Sequence, residues 1–173
     1  YKRQIHKYGK VIINDISAGE LDPLIVDVAA EHDVPYVAMH MKGDPRTMQS
    51  MTDYRDIVAE VVDYFRERTA QLRERGVRRI VVDPGFGFAK TLEQNYELLR
   101  GLHRLAELGY PVLAGVSRKS MIYKLLGTTP AEALNGTTAL HWECLRQGAV
   151  ILRAHDTREA VEVVRMFDQF MQA

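Results

Sequence analysis

A single cysteine, Cys144, stands in 173 residues, which excludes an internal disulfide and fits a reducing compartment. It falls in a stretch, 141–147, that reads as a helix, where a small packing residue is expected rather than a nucleophile. Net charge is lacking too. Lysines plus arginines number 23, as do aspartates plus glutamates, so no overall field favours nucleic acid or an anionic membrane. Any anion site must therefore be local. No apolar run approaches membrane-spanning length and no secretory leader pattern opens the sequence, so a soluble, cytoplasmic protein or a piece of one is expected. Metal-ligand spacing of His, Cys, Asp or Glu is missing, as are a Walker loop and a dinucleotide fingerprint. Neither a linker nor a low-complexity tract divides the chain, whose length suits one domain.

What is present is a rhythm of strand, loop and helix, repeated five times. Residues 1–8 read as the tail of a helix. Short apolar strands are predicted at 11–13, 34–39, 80–82, 111–114 and 149–152. Between them, Asp22 and Pro23 open one helix, and residues 53–75 form a long one with Ile57, Val61, Val62 and Phe65 inward. Thr91 with Gln94 makes a capping box for a helix running to Gly109. A helix-like segment at 121–126 and a second capping box, Thr129 with Glu132, precede a helix ending at Gly148. Asp156 and Glu159 are expected to cap the last helix, with Ala160, Val163, Val164 and Phe167 as its stripe. Such alternation implies a mostly parallel sheet with helices packed on it, and right-handed crossovers bring every strand's carboxyl end to one rim.

Chemistry collects at those ends. Asn14, His40, Asp83, Ser117 with Lys119, and Arg153 with His155 each sit just past a strand. Taken singly, Asn14 and Asp83 also read as turn residues, and His40 as a core or loop histidine. Gly85-Phe86-Gly87-Phe88 is an odd way to build a mere turn, because two glycines admit close backbone approach and two aromatics offer flat faces beside a carboxylate. Lys119, Arg153, His155 and the helix starting near Thr157 make a credible phosphate or pyrophosphate cradle. Opposite them, Asp83 and Asn14 suit the donor–acceptor edge of a flat heterocycle, with Phe88, Ile16 and Met39 as walls. The residues by themselves lead to an enzyme that binds a planar ring and a phosphate.

Five stretches together resemble the dihydropteroate synthase family: Ile13-Asn14-Asp15-Ile16-Ser17, Met39-His40-Met41-Lys42-Gly43, Asp83-Pro84-Gly85-Phe86-Gly87-Phe88, Gly115-Val116-Ser117-Arg118-Lys119-Ser120 and Arg153-Ala154-His155-Asp156. The resemblance implies an α/β fold, the (β/α)8 TIM barrel, to which this chain contributes about five βα units, strands four to eight, as one domain over residues 1–173. It implies that 4-aminobenzoate displaces pyrophosphate from 6-hydroxymethyl-7,8-dihydropterin pyrophosphate, with Mg²⁺ as cofactor. On this resemblance Asn14, Asp83 and Lys119 hold the pterin, and Ile16, Met39, Phe88 and Gly115 line its slot. Ser117 and Arg118 lie toward aminobenzoate, and Arg153 with His155 grips the pyrophosphate. Lys119, Asp83, Arg153 and His155 would be the catalytic set.

A complete barrel takes about 250 residues. The resemblance therefore leaves the front of the barrel, including a metal-binding asparagine, upstream of Tyr1, and little turnover is expected from these residues alone. It also implies a homodimer through the last helices, with no nucleic-acid or membrane partner. Three alternatives remain at this stage: an aldolase-type barrel with Lys119 as Schiff-base nucleophile, a pterin-binding methyltransferase, and a non-catalytic pterin-binding relative.

Overall fold

The computed structural model describes residues 2–9, 11–43 and 51–172. Part of the polar loop expected between 42 and 52 thus lies outside the described residues. A short helix, α1 (Lys2–Tyr8), leads into five strands: β1 (Ile13–Asp15), β2 (Tyr36–Met39), β3 (Ile80–Asp83), β4 (Leu113–Ala114) and β5 (Ile151–Leu152). All pairing is parallel, β1 with β2, β2 with β3 and β4 with β5. A bridge between Val82 and Val112 joins the two sets, so the strands lie side by side in sequence order. That unbroken order is the arrangement of a βα barrel; a doubly wound sheet reverses direction at a switch point. The chain forms an arc of a TIM barrel with five βα units.

The strands are short, and β2, β3 and β4 are largely buried because helices cover their outer side. α2 (Leu24–Glu31) buries Ile25, Val26 and Ala29, and α3 (Ile57–Glu74) buries Ile57, Val58, Val61, Val62, Phe65, Thr69 and Leu72. α3 starts later than its composition suggests. Asp56 caps it, accepting the Ala59 N–H at 2.9 Å, and Glu60 folds back to the Arg55 N–H at 2.7 Å. The predicted helix from Thr91 to Gly109 is two, α4 (Leu92–Arg100) and α5 (His103–Ala106). Bonds from Leu102 N–H to Leu99 and from Leu105 N–H to Leu102 tighten the junction, which keeps Leu98, Leu99, Leu102 and Leu105 all in the core. α6 (Ser120–Leu126), a 3₁₀ turn at Pro130–Glu132, α7 (Leu134–Arg146) and α8 (Thr157–Gln172) complete the chain.

β1 lies two residues later than expected, because Asp15 serves as more than a turn former. Its carboxylate accepts from the Ser17 N–H and hydroxyl at 2.9 and 2.8 Å, and from the Gly19 N–H and Tyr36 hydroxyl at 2.6 Å each. Arg68 of α3 donates to the Ala18 carbonyl from the other side. The loop that carries Asn14 and Ile16 is thereby fastened to β2 and α3. Asp15→Ala strands four donors, so urea unfolding is expected to show a loss of about 3 kcal/mol, against about 1 kcal/mol for Tyr36→Phe. Equal losses would show that the carboxylate acts only through the tyrosine.

Candidate active site

Asp83 ends β3 and is fully buried. Its Oδ1 accepts the Gly85 N–H at 2.8 Å, which closes the turn after the strand. Gly85 sits at φ +69 against the end of β2, where a Cβ would overlap the His40 carbonyl oxygen. The other carboxylate oxygen, Oδ2, lies 3.2 Å from Nη2 of Arg153, off hydrogen-bond geometry, and has no hydrogen-bond partner among the described residues. Burial raises the Asp83 carboxyl above the ordinary range, although Arg153, the Gly85 N–H and Lys119 all pull it down.

Arg153 follows β5 and reaches back across the inside of the arc. Its Nη1 donates to Asn14 Oδ1 at 3.1 Å, joining the first and last strand ends. The guanidinium passes over Gly115, where a Cβ would come within 2.7 Å of Nη2 and 3.1 Å of Nε. Gly115 therefore serves as clearance for Arg153. Lys119, just before α6, donates from Nζ to the Phe86 carbonyl and lies 4.8 Å above the centroid of the Phe88 ring. Burial lowers its ammonium to about 8, with Asp83 opposing the shift and Arg153 adding to it. Ser117 is buried, and its Oγ accepts the His155 backbone N–H at 3.1 Å and lies 3.0 Å from His155 Nδ1. His155 itself is exposed.

Most residues read from the sequence thus share one rim. Arg153 contacts Asn14, Asp83 and Gly115, Lys119 lies over Phe88 and its charge is felt at Asp83, and Ser117 with His155 forms a further pair. Met39 is buried under Gly85, and Ile16 is half-buried in the loop that Asp15 fastens. Arg118 does not join them. It takes φ +53, and Nε and Nη2 bind Asp156 at 2.8 and 2.7 Å while Nη1 donates to the Pro130 and Ala131 carbonyls. Its guanidinium is occupied in tying α8 to the turn before α7, and Asp156 spends its carboxylate on Arg118 instead of on a helix cap. No described hydrogen bond joins Arg118 to the rim groups.

Lys90 escaped the sequence reading. It is buried, with Nζ 3.1 Å from His40 Nδ1 and donating to the Gly85 and Phe88 carbonyls at 3.1 and 2.9 Å. One signal was available: a lysine directly before the helix cap Thr91 opposes the helix dipole, which favours acids there. His40 is a buried ring whose pKa lies well below the ordinary value, through burial first and the nearby Lys90 and Lys42 second.

Three cations, Lys90, Lys119 and Arg153, thus surround one carboxylate, a local positive excess in a chain with no net charge. No group of three His, Cys, Asp or Glu side chains converges among the described residues. The rim carboxylate, Asp83, is turned to Arg153, so the described residues do not make a magnesium site of their own.

Because the Asp83 carboxyl is raised in the folded state, its stabilising contribution is complete below the unfolded-state pKa and is lost as pH rises through the folded value. Asp83→Asn keeps the acceptor for Gly85 and removes the buried charge. Its unfolding free energy at neutral pH is expected to match the parent or exceed it by about 1 kcal/mol. A fall of more than about 2 kcal/mol in urea titrations would show that the ion pair supports folding.

Residues 2–155 match the model of the family described as pterin binding enzymes. The chain is 42% identical over 169 residues to the dihydropteroate synthase of Synechocystis, covering 96% of this chain and 58% of that protein. Among solved structures, dihydropteroate synthase from Thermus thermophilus in complex with 6HMPPP superposes with a TM-score of 0.89 at 40% identity, over 95% of this chain and 66% of that one. The same enzyme in complex with 4-aminobenzoate gives a TM-score of 0.90 at 40% identity, over 94% and 67%. The Yersinia pestis enzyme with a sulfonamide drug complex gives 0.91 at 35% identity, over 95% and 60%. The chain thus spans about three fifths of the length of its curated relative. With the family model covering nearly all of its residues and the rim groups in place, the chain belongs to the pterin binding enzyme family.

Proposed function

We propose that this chain carries the pterin and pyrophosphate part of a dihydropteroate synthase site, at which 4-aminobenzoate displaces pyrophosphate from 6-hydroxymethyl-7,8-dihydropterin pyrophosphate to give 7,8-dihydropteroate. The observation that carries this reading is Asp83 Oδ2, a buried acceptor aimed at the rim with no hydrogen-bond partner among the described residues. An unfilled acceptor inside a protein costs free energy unless a ligand completes it. The N–H edge of a pterin is the complement, with Asn14 beside it and the Lys119 ammonium within reach of a ring carbonyl. The Phe88 face and Met39 bound the slot. The 6HMPPP and 4-aminobenzoate complexes of the Thermus enzyme support the same substrates here.

The reaction breaks the bond from the pterin methylene to the pyrophosphate oxygen, whose electron pair leaves with the pyrophosphate. The arylamine lone pair then forms the new carbon–nitrogen bond, and the amine proton passes to solvent. Arg153 and His155 would meet the departing charge at its developing oxygens. Ser117 orients the His155 imidazole through its hydroxyl and keeps that ring at the rim. No strong base is required, which agrees with a site rich in cations and holding one carboxylate. Magnesium would supply charge neutralisation on the pyrophosphate, held mainly by phosphate oxygens and water. A cytoplasmic setting and a homodimer through α7 and α8 belong to the same proposal. No described helix is long and apolar enough to cross a membrane, and Met166 and Phe170 are exposed on α8. Sulfonamide binding, found with the Yersinia enzyme, is expected to follow the aminobenzoate site.

Calorimetry with the pterin pyrophosphate tests this reading. Lys119→Ala and Arg153→Ala should each weaken binding by about 10- to 100-fold, as expected for a lost charge-assisted hydrogen bond. Lys119 is charged below about 8, so affinity should be highest below that pH and decline as pH rises through it. Unchanged affinity in both variants would remove the rim from the ligand site.

A further inference from the structure

Four consecutive residues, Gly85 to Phe88, form the floor of the rim beside Asp83, and their peptide groups are held from several directions. The Gly85 N–H donates to Asp83 Oδ1, and the Phe88 N–H returns to the Gly85 carbonyl at 3.1 Å. Asn95, buried on α4, accepts the Gly87 N–H at 2.7 Å and donates to the Lys90 and Thr91 carbonyls. Lys90 takes the Gly85 and Phe88 carbonyls, and Lys119 takes the Phe86 carbonyl. Only the last of these bonds uses a group that the pterin would claim as its own cation. A ligand carbonyl that draws Lys119 away therefore removes one support from the loop and leaves Lys90 holding two.

We infer that Lys90 is a positioning residue for the pterin site: its buried ammonium holds the Gly85–Phe88 loop in shape so that Lys119 is free to exchange the Phe86 carbonyl for a ligand. The inference rests on the pterin reading above. The described hydrogen-bond partners of Lys90 are the loop carbonyls and the His40 ring. Its Nζ donates to two loop carbonyls and lies 3.1 Å from His40 Nδ1, so three neighbours occupy it. The His40 ring, held neutral by burial, is fixed edge-on to Tyr64 of α3 with ring centroids 4.9 Å apart. The loop is thus moored through Lys90 to the end of β2 and to the helix behind it. Burial lowers the Lys90 ammonium to about 7, with Asp83 opposing the shift, so its charge is held at a cost, and a polar network of this kind yields rigidity rather than stability. The Phe88 ring, over which Lys119 lies, is carried by the same moored loop.

The test compares Lys90→Met, of similar length but without donors, with Lys90→Gln, which keeps two N–H donors, and with Leu72→Ala, a core lesion on α3 remote from the rim. All are made in the full-length protein. Two readouts are taken: calorimetric affinity for the pterin pyrophosphate, and amide hydrogen exchange of residues 85–88 in the ligand-free protein. The expected result is a loss of affinity of at least tenfold in Lys90→Met, an intermediate loss in Lys90→Gln, and less than a twofold change in Leu72→Ala. Exchange at Gly87 and Phe88 should be at least tenfold faster in Lys90→Met without ligand. If Lys90→Met does not accumulate as folded protein, Lys90→Gln carries the same comparison. Parental affinity in the Lys90 variants, or an equal loss in Leu72→Ala, overturns the inference. Should the parent itself not bind the pterin, that reading fails separately, and the exchange result alone decides whether Lys90 shapes the loop.

Discussion

Arg153 reaches from the end of β5 to Asp83 at the end of β3 and Asn14 on β1, and this three-way contact sets the terms for the rest of the structure. The outer partners are 139 residues apart in sequence, so their meeting requires every intervening unit to be in register. Parallel strands joined by right-handed crossovers supply that register by delivering each carboxyl end to one rim. Gly115 supplies the clearance, since any side chain there would occupy the guanidinium's path. The carboxylate at the centre is fully buried, and its burial outweighs the attraction of three nearby cations. A pairing with that balance is poor support for a fold and a good way to keep a reactive acceptor in place.

The rim groups mostly occupy one another. Lys119 holds the Phe86 carbonyl, Ser117 holds His155, and Arg153 holds Asn14. Asp83 Oδ2 alone is left without a hydrogen bond among the described residues of the rim. A ligand with an N–H edge, a ring carbonyl and an anionic tail could take these groups over one by one, exchanging internal bonds for its own. Behind the rim, other pairs stay closed. Arg118 with Asp156 joins the loop after β4 to α8, Asp15 with Tyr36 fixes the loop after β1, and Lys90 with His40 moors the loop after β3. Each of these three loops offers a site group and has one such fastening beneath it.

The repeat of strand and helix was legible because burial on both sides of a parallel strand leaves continuous apolar runs, and because caps such as Thr91 with Gln94 are local signals. The rim residues were legible for a related reason: polar side chains directly after such runs have one place to go. What the sequence hid was set by distant partners. Arg118 sits beside Lys119 in the chain, yet a left-handed backbone and Asp156 turn it to another task. Lys90 reads as a surface lysine until His40, fifty residues earlier, is placed next to it. The late start of β1 follows from Tyr36 claiming Asp15, and the split of the helix after Thr91 follows from the need to bury Leu102 and Leu105 together. None of these leaves a periodic trace.

A crystal structure of the full-length protein with the pterin pyrophosphate bound tests the central claim most directly. The account predicts a pterin N–H on Asp83 Oδ2, Lys119 moved from the Phe86 carbonyl to the ring carbonyl, and Arg153 turned toward the pyrophosphate, with the Gly85–Phe88 loop unmoved. A pterin seated elsewhere, with Arg153 still against Asp83 and Lys119 still on Phe86, would contradict it.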